Sequence, residues 1–162
     1  MILYHGTNVD FESIDLNIGN SFKDFGKGFY LTPDLNTAIR MAQKKARLFK
    51  GKPTLISYEF DEIALQSGLN VKVFPEKACI EWVEFVDANR ESKSKTPIHD
   101  YEIVIGPIAN DGVAVQLNNL HEGIYTPQQI AILLQDKYLD QQYYFGTERS
   151  IQYLRKIKVE IL

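Results

Sequence analysis

Cysteine, tryptophan and long apolar runs are almost missing from this chain of 162 residues. The single cysteine, Cys79, excludes an internal disulfide, and its neighbours Ala78 and Ile80 predict a small core residue in a protein of a reducing compartment. No apolar run approaches the roughly eighteen residues of a membrane-spanning helix, and the first residues do not form a secretion signal. The sequence therefore predicts a cytoplasmic protein without a membrane partner.

Histidine and net charge are also scarce. The three histidines, His5, His99 and His121, are scattered and have none of the spacings of zinc ligands, so no metal is expected. The formal net charge of −3 argues against a broad electrostatic nucleic-acid binder. The basic segment from Arg40 to Lys52 remains open as a local patch or as a solvated helix face.

The residues that are present suffice for one α+β domain over residues 1–162. With 44% hydrophobic and 24% charged residues, the chain can bury a sizeable core. Short segments rich in β-formers alternate irregularly with helical patterns, and both ends of the chain have a strand pattern. The predicted strands are residues 2–5, 28–31, 54–60, 69–74, 99–105, 141–145 and 156–162.

Helix-start signals place the predicted helices. Thr32 is predicted to cap a helix that ends before Gly51. Pro75 is predicted to open a second helix, on which Trp82 is a core anchor. The other predicted elements are a turn at 106–107, a helix at 111–120, a helix capped by Thr126 with Gln129 in a capping box, and a short helix at 147–154.

Two segments near the start carry most of the functional signal. Residues 3–7 read Leu-Tyr-His-Gly-Thr, and residues 23–32 read Lys-Asp-Phe-Gly-Lys-Gly-Phe-Tyr-Leu-Thr. Each reads as a short apolar strand that carries a polar or aromatic group beside a glycine, an arrangement suited to gripping a flat, charged cofactor. The residues alone indicate a nucleotide or nicotinamide pocket.

These segments carry a resemblance to known proteins. Tyr4-His5-Gly6-Thr7, followed by Gly26-Lys27-Gly28-Phe29-Tyr30-Leu31, resembles the NAD-binding half of the diphtheria-toxin-like and poly(ADP-ribose)-polymerase-like ADP-ribosyltransferases, whose signature is His, Tyr and usually Glu on three strands. The motifs KDFGKGFY at 23–30 and HDYEIVIGPIAND at 99–111 resemble a small bacterial family of unknown function over nearly the whole chain. The resemblance implies an ADP-ribosyltransferase-like fold, with split mixed and antiparallel sheets and flanking helices, and NAD as substrate.

The resemblance also implies roles for single residues. His5 would hydrogen-bond a ribose hydroxyl, the Gly6 backbone would hold the nicotinamide carboxamide, and the Thr7 hydroxyl would assist. Tyr30 would stack on the nicotinamide. The remaining cofactor-binding candidates are Gly28 and Phe29. The structural alternatives are a satisfied histidine at a strand end, a half-buried tyrosine and a packing phenylalanine.

The third position of the signature departs from the family pattern. The predicted strand 141–145 offers Gln142 where the typical transferase has glutamate, with Gln141 pointing to the opposite face. An amide can hydrogen-bond the ribose but cannot offset the developing positive charge. Two unit charges about 5 Å apart interact by roughly 3 kcal/mol at an effective dielectric of about 20, so the loss costs about a hundredfold in rate. Glu102 or Glu148 could compensate.

The motif at 99–111 adds an acceptor-side candidate. Asp100 and Glu102 would share one face of the predicted strand, where they could deprotonate an acceptor nucleophile. The alternative is that Asp100 only ties down the strand and the turn through backbone hydrogen bonds.

The implied function is an NAD-dependent mono-ADP-ribosyltransferase that modifies an intracellular macromolecule, either protein or nucleic acid. The toxin of a toxin–antitoxin pair fits this description, with an antitoxin protein as partner. The alternatives are a degenerate module that binds NAD, ADP-ribose or a protein without turnover, and an NAD glycohydrolase. Gln142 in place of glutamate keeps the degenerate alternative open.

Overall fold

Seven strands and five α-helices make up the fold in the computed structural model, which describes residues 1–162. The strands are β1 (Ile2–Thr7), β2 (Phe29–Leu31), β3 (Thr54–Phe60), β4 (Val71–Val73), β5 (Ile103–Pro107), β6 (Gln141–Phe145) and β7 (Leu154–Ile161). The helices are α1 (Leu35–Phe49), α2 (Ile80–Glu91), α3 (Asp111–His121), α4 (Pro127–Leu134) and α5 (Glu148–Ile151), with a 3-10 helix at Glu62–Gln66. None of the helices is both long and apolar enough to cross a membrane.

The strands form two separate sheets. The first is antiparallel, with the order β1-β3-β7, and it contains both ends of the chain as predicted. The second has the order β2-β6-β5-β4 and is mixed, because β4 and β5 are parallel and the other pairs are antiparallel. The predicted α+β class with split mixed and antiparallel sheets is confirmed.

Two apolar cores lie on opposite faces of the second sheet. Side chains alternate along a strand, so Val104 and Tyr144 face one core while Ile103 and Phe145 face the other. The first core contains Trp82 and the other buried apolar residues of α2, α3 and α4. The second core joins the two sheets, and α1 packs on β1 from the outer side.

A single β-bridge connects the two sheets directly. The Tyr4 amide donates to the Thr32 carbonyl at 2.8 Å, and the Thr32 amide donates back to the Tyr4 carbonyl at 2.9 Å. Each of the two strands is an edge strand that pairs along its other side, β1 with β3 and β2 with β6, so β1 and β2 diverge away from the bridge. The divergence opens a seam between the sheets, which we call the β1/β2 seam.

Helix α1 lies where the sequence predicted a helix, but its N-cap is a different residue. Asp34 is the N-cap, and its Oδ1 accepts the Thr37 amide at 2.6 Å. The Thr32 hydroxyl instead donates to the Gln141 carbonyl at 2.8 Å, because Thr32 still belongs to the sheet. Only two residues of the helix are buried, Ala38 and Ala42.

Helix α2 begins five residues later than predicted, at Ile80 instead of Pro75. The Phe74 amide still donates to the Ile105 carbonyl at 2.8 Å, so sheet pairing continues up to the proline. Cys79 is the N-cap in an extended conformation and is half-buried, not the core residue that its neighbours predicted. Trp82 is confirmed as a core anchor and donates from Nε1 to the Pro107 carbonyl at 3.1 Å.

Strand β5 also begins later than predicted, at Ile103 instead of residue 99. His99 accepts the Tyr101 amide at Nδ1 and contacts the Phe25 carbonyl through Nε2, so its side chain fixes a local turn before the strand. The predicted turn at 106–107 is wrong, because both residues pair with β6 inside the sheet. Helix α3, the capping box of α4 and strand β6 are confirmed, whereas α5 is shorter than predicted.

Candidate functional site

A cavity of about 330 Å³ opens in the β1/β2 seam, at the lower end of the range for small-molecule sites. It contains three of the predicted catalytic residues, His5, Tyr30 and Gln142, together with Gly6. The full lining is Tyr4, His5, Gly6, Phe22, Lys23, Asp24, Tyr30, Leu31, Thr32, Thr37, Ala38, Met41, Lys45, Arg90, Ile108, Ala109 and Gln142.

His5 is neutral and held in one tautomer. Its Nδ1 lies 2.8 Å from the Tyr30 carbonyl, which can only accept, so Nδ1 carries the proton. Burial and then the positive charge of Lys45 lower the pKa of His5 to about 3. The ring stacks on Phe29, with centroids 4.6 Å apart. Nε2 has no protein partner and is therefore an acceptor available to a ligand in the cavity.

Tyr30 is anchored by its hydroxyl, so its ring is fixed. The hydroxyl donates to the Gly26 carbonyl at 2.5 Å and accepts the Phe25 amide at 3.1 Å. Gly26 has a φ of +86°, the left-handed region that favours glycine, and this conformation folds the loop back towards Tyr30. Burial and then the charge of Asp24 raise the pKa of Tyr30 well above its ordinary value, so the phenol stays protonated.

Gly6 is required for packing against α1. A Cβ at this position would lie 2.0 Å from the Ala38 carbonyl oxygen and 2.8 Å from the Ala42 amide nitrogen. Both contacts are with backbone, so no side-chain rotation could relieve them. Close approach of the helix therefore accounts for this glycine, and the predicted contact of its backbone with a cofactor stays a prediction.

Three other predicted cofactor-binding residues lie outside the cavity lining. Phe29 is buried in the second core behind His5, and it supports the imidazole ring. A Cβ at Gly28 would lie 2.2 Å from Tyr144, so this glycine serves packing against β6. Thr7 is buried, and its hydroxyl accepts the Val9 amide at 3.5 Å. These residues pack behind the residues that line the cavity and do not line it themselves.

The acidic candidates from the second motif do not reach the cavity. Asp100 is exposed and lies before β5, so it does not share a strand face with Glu102 as predicted. Glu102 is buried, and its two oxygens accept from the Asn70 amide and the Thr147 hydroxyl. Glu148 is exposed in the first turn of α5. None of the three lines the cavity, so none compensates there for the missing glutamate.

Gln142 is held by two hydrogen bonds from one nitrogen. Nε2 donates to Oδ2 of Asp24 at 2.7 Å and to the Pro107 carbonyl at 3.1 Å. Both partners are acceptors, which assigns the amide orientation. Oε1 has no protein partner, and no buried polar atom is left unpaired, so Oε1 is accessible from the cavity that Gln142 lines.

Asp24 is a buried carboxylate that the sequence analysis quoted in its motif but gave no role. Its Oδ1 accepts from Nε of Arg90 at 2.8 Å and lies 2.7 Å from Nη2 of the same guanidinium. Its Oδ2 accepts the Ala109 amide at 2.9 Å as well as the Gln142 amide. Asp24 thus joins the loop before β2 to α2, β6 and the segment after β5.

Two lysines add positive charge to the cavity. Neither Lys23 nor Lys45 forms an ion pair or a side-chain hydrogen bond, and the ammonium of Lys23 lies 4.8 Å from the centroid of the Tyr30 ring. Burial and then the charge of Lys23 lower the pKa of Lys45 to about 8. Lys23 is exposed, and the partial desolvation of its ammonium lowers its pKa, an effect that the charge of Asp24 opposes. Unpaired cations in a cavity favour an anionic ligand.

One signal could have placed Lys45 in the site from sequence. Lys45 follows Ala38 by seven residues and Ala42 by three, so it lies on the buried face of α1 and not on a solvated face. Asp24 and Arg90 are 66 positions apart, and no periodicity could have joined them.

A second group of titratable residues lies on α2 and α3. Ligand atoms of Asp87, Glu91 and His121 lie within 4.8 Å of one another. The Nε2 of His121 is already 3.5 Å from a Glu91 oxygen, which makes a histidine–carboxylate contact at the surface. Sequence spacing overlooked this group because two helices contribute to it, and the absence of a metal stays a prediction.

The fold and the cavity define this protein as an α+β domain with a cavity between two sheets, lined by three basic side chains and one acidic side chain. The profile of one family, described as "Protein of unknown function (DUF3990)", matches residues 1–156, and the chain belongs to that family. No curated protein and no solved structure matches the chain.

Proposed function

We propose that this protein is an NAD-dependent mono-ADP-ribosyltransferase that modifies an intracellular macromolecule. The observation that carries the proposal is the state of His5, a neutral imidazole with Nδ1–H fixed on the Tyr30 carbonyl and Nε2 available in the cavity. A ribose hydroxyl needs such an acceptor. In this tautomer His5 also cannot lose its orientation without breaking the bond to β2.

Tyr30 fits the role of a platform for the nicotinamide ring. Its hydroxyl is tied to the Phe25–Gly26 backbone, so the ring is held in place before a ligand arrives. The ammonium of Lys23 lies over this ring. The nicotinamide of NAD is itself cationic, so Lys23 moves away from Tyr30 when the dinucleotide binds. Preorganisation of the ring lowers the entropy cost of the stacking contact.

The lysines fit the diphosphate. Lys23 and Lys45 are unpaired in the cavity, and two negative charges near them would remove their mutual repulsion. Lys23, once displaced from Tyr30, remains within the same lining. The cavity volume accommodates part of a dinucleotide, and the adenosine would extend from its open side.

The chemistry requires little from the protein beyond orientation and charge. The nicotinamide leaves with the electron pair of its bond to the anomeric carbon, and a nucleophile of the acceptor forms the new bond to that carbon and loses a proton. Positive charge develops on the ribose between the two events. Gln142 Oε1 offers a partial negative charge to that ribose, which is weaker than the full charge of a glutamate.

The test is transfer of label from NAD. Purified protein is incubated with adenylate-labelled NAD and a bacterial lysate, and aliquots are treated with protease or nuclease. We expect label on a polymer, removed by one of the two treatments. His5→Ala should abolish the transfer, because the acceptor for the ribose hydroxyl is lost. The matched control is His121→Ala, which removes an exposed histidine outside the cavity.

Failure would take a definite form. If the wild-type protein leaves NAD intact in every lysate and releases no nicotinamide, it is not a transferase. Free ADP-ribose as the main product would instead identify a glycohydrolase, which uses the same cavity with water as the acceptor. A polymer-bound product would not show whether the protein is a toxin. Expression in a bacterial host, alone and together with the protein encoded next to it, tests toxicity and its neutralisation.

One observation favours a second candidate, a module that binds NAD or ADP-ribose without turnover. Gln142 is neutral, and no carboxylate takes its place at the lining apart from Asp24, which is paired with Arg90. This candidate predicts a thermal shift with NAD and its loss in Tyr30→Ala, but no release of nicotinamide. At a ligand concentration of 100 times Kd, the stabilisation would be about 2.7 kcal/mol.

A further inference from the structure

We infer that Asp24 is a positioning residue, which together with the Pro107 carbonyl requires a glutamine and excludes a glutamate at position 142. The glutamine at position 142, where the similar transferases usually have glutamate, is then a structural requirement of this site. The catalytic consequence rests on the proposed function, whereas the requirement for an amide rests on geometry alone.

The first step is the hydrogen-bond inventory of position 142. The Gln142 side chain is only 7% exposed and donates both of its N–H groups, to Asp24 and to the Pro107 carbonyl. Neither partner can donate in return, since one is a carboxylate and the other a backbone carbonyl. An ionised glutamate has no proton to give, so it would place an oxygen against two acceptors.

The second step is that Asp24 cannot move away. Arg90 holds one carboxylate oxygen with two nitrogens, and the Ala109 amide holds the other. Arg90 also donates to the Ala109 carbonyl at 3.0 Å, which closes the network. Asp24 is 7% exposed, so water would screen little of the repulsion between two ionised carboxylates at this spacing.

The third step is the effect on Gln142. With its nitrogen bound on two sides, the amide cannot flip, and Oε1 remains the atom that is accessible to a ligand. A hydrogen bond from the amide to a carboxylate also draws electron density towards Oε1. Asp24 therefore acts on the cavity by polarising the Gln142 amide, while its own oxygens accept hydrogen bonds from Arg90, Ala109 and Gln142.

The first experiment tests the requirement for an amide without any substrate. The variant Gln142→Glu is compared with Gln141→Glu, a matched control because Gln141 also donates twice from Nε2 to backbone carbonyls but lies outside the cavity. Thermal unfolding is recorded between pH 4 and pH 8. The titratable and charged groups that share the cavity lining with position 142 are Asp24, Arg90, Lys23, Lys45, the neutral His5 and the phenols of Tyr4 and Tyr30.

We expect the melting temperature of Gln142→Glu, relative to the wild type, to fall as the pH rises. Burial next to Asp24 raises the pKa of the introduced carboxyl above its unfolded value of about 4.3, so stability is retained below that value and is lost as the pH passes the folded pKa. A deficit of 5 °C or more at pH 8, mostly recovered at pH 4, is the expected size. A variant as stable as Gln141→Glu at both pH values would overturn the inference.

A double variant separates the contact from general damage. In Asp24→Asn combined with Gln142→Glu, the new amide at position 24 can donate to the new carboxyl, which reverses the direction of the native bond. The double variant should lose less at pH 8 than the sum of the two single variants. Purely additive losses would contradict a direct contact between the two side chains.

The second experiment tests positioning during turnover. Asp24→Asn should lower kcat for nicotinamide release at least tenfold with less than a threefold change in KM, because binding of the dinucleotide uses other residues. The control is Glu59→Gln, which removes an arginine-paired carboxylate far from the cavity. An unchanged kcat would overturn the positioning role while leaving the transferase proposal standing. Absence of any wild-type turnover would instead refute the transferase, and the unfolding comparison would still decide the inference.

Discussion

His5 shows how much of a residue's chemistry its neighbours set. The surrounding protein and the charge of Lys45 bring its pKa down from 6.5 to about 3. The unfolded chain therefore binds one more proton than the folded protein between these values, and folding stability is lost as the pH falls below about 6.5. A neutral imidazole is thus maintained at the expense of acid stability.

This linkage gives the first prediction. Between pH 6 and pH 4, the unfolding free energy of the wild type should fall more steeply than that of His5→Gln, by up to about 1.4 kcal/mol per pH unit. Urea titrations at several pH values measure the difference. His121→Gln, which changes an exposed histidine outside the cavity, is the control. Parallel curves for the wild type and His5→Gln would contradict the assignment of a buried neutral His5.

Gly6 gives the second prediction. The variant Gly6→Ala should lose about 3 kcal/mol or more of stability, because its Cβ would lie 2.0 Å from the Ala38 backbone oxygen. Gly112→Ala is the control, since a Cβ there meets nothing closer than 3.4 Å. Thermal unfolding measures both variants. A stable Gly6→Ala protein that fails only to bind NAD would contradict the packing requirement and support a cofactor contact as the reason for this glycine.

At the residue scale, the sequence singled out side chains that have a local signal and missed those whose place in the cavity depends on a partner distant in sequence. His5, Tyr30 and Gln142 each stand beside a local signal, such as a glycine or a strand pattern, and the structure brings them to one cavity. Asp24 becomes important only through its contact with Arg90, and that contact depends on the packing of α2. Long-range pairing of this kind leaves no mark in local spacing.

Helix α1 contributes one of the three cationic side chains of the cavity. It presents Thr37, Ala38, Met41 and Lys45 along one face, of which only Lys45 is charged. Lys45 has a pKa of about 8 in the free protein. A phosphate beside it would raise this pKa, so the protonated form is favoured in the complex.

The third prediction is proton uptake on binding. Near pH 8, NAD or ADP-ribose should bind with uptake of a fraction of a proton, and affinity should decline as the pH rises above 8. Calorimetry in buffers of different ionisation enthalpy measures the uptake. Lys45→Gln should abolish it and weaken binding about tenfold. Lys44→Gln, next in sequence but exposed and 3.6 Å from Asp111, should behave as the wild type. Uptake that persists in Lys45→Gln would assign the proton elsewhere.

The sequence predicted elements with strong periodicity well. It did not predict the bounds of elements whose first residue is set by side-chain contacts. Strand β3 has the predicted bounds, and α1 differs from its prediction only at its N-terminal end. Strand β5 does not, because the hydrogen bonds of His99 hold the preceding residues in a turn. Gly106 and Pro107 read as a turn, yet they pair with β6. Pro107 has no backbone N–H to donate, but its carbonyl accepts from both Trp82 and Gln142.

The whole molecule carries a net charge of −3, whereas its cavity is lined by Lys23, Lys45 and Arg90 against Asp24 alone. An anionic ligand is therefore attracted locally and repelled weakly at longer range. The fourth prediction is that the affinity for NAD falls severalfold between about 50 mM and 500 mM salt, because the interaction is electrostatic and partly exposed. Equilibrium dialysis at the two ionic strengths measures it, and an affinity that is insensitive to salt would argue against contact with the diphosphate.

Trp82 is the only tryptophan of the chain, and it shares an acceptor with the site. Its indole N–H and the Gln142 amide both donate to the Pro107 carbonyl. Any ligand that draws on Gln142 changes the electron density at that carbonyl and hence the environment of the indole. The protein thus contains its own fluorophore, one hydrogen bond removed from the cavity, and ligand titrations can be followed by emission without a label.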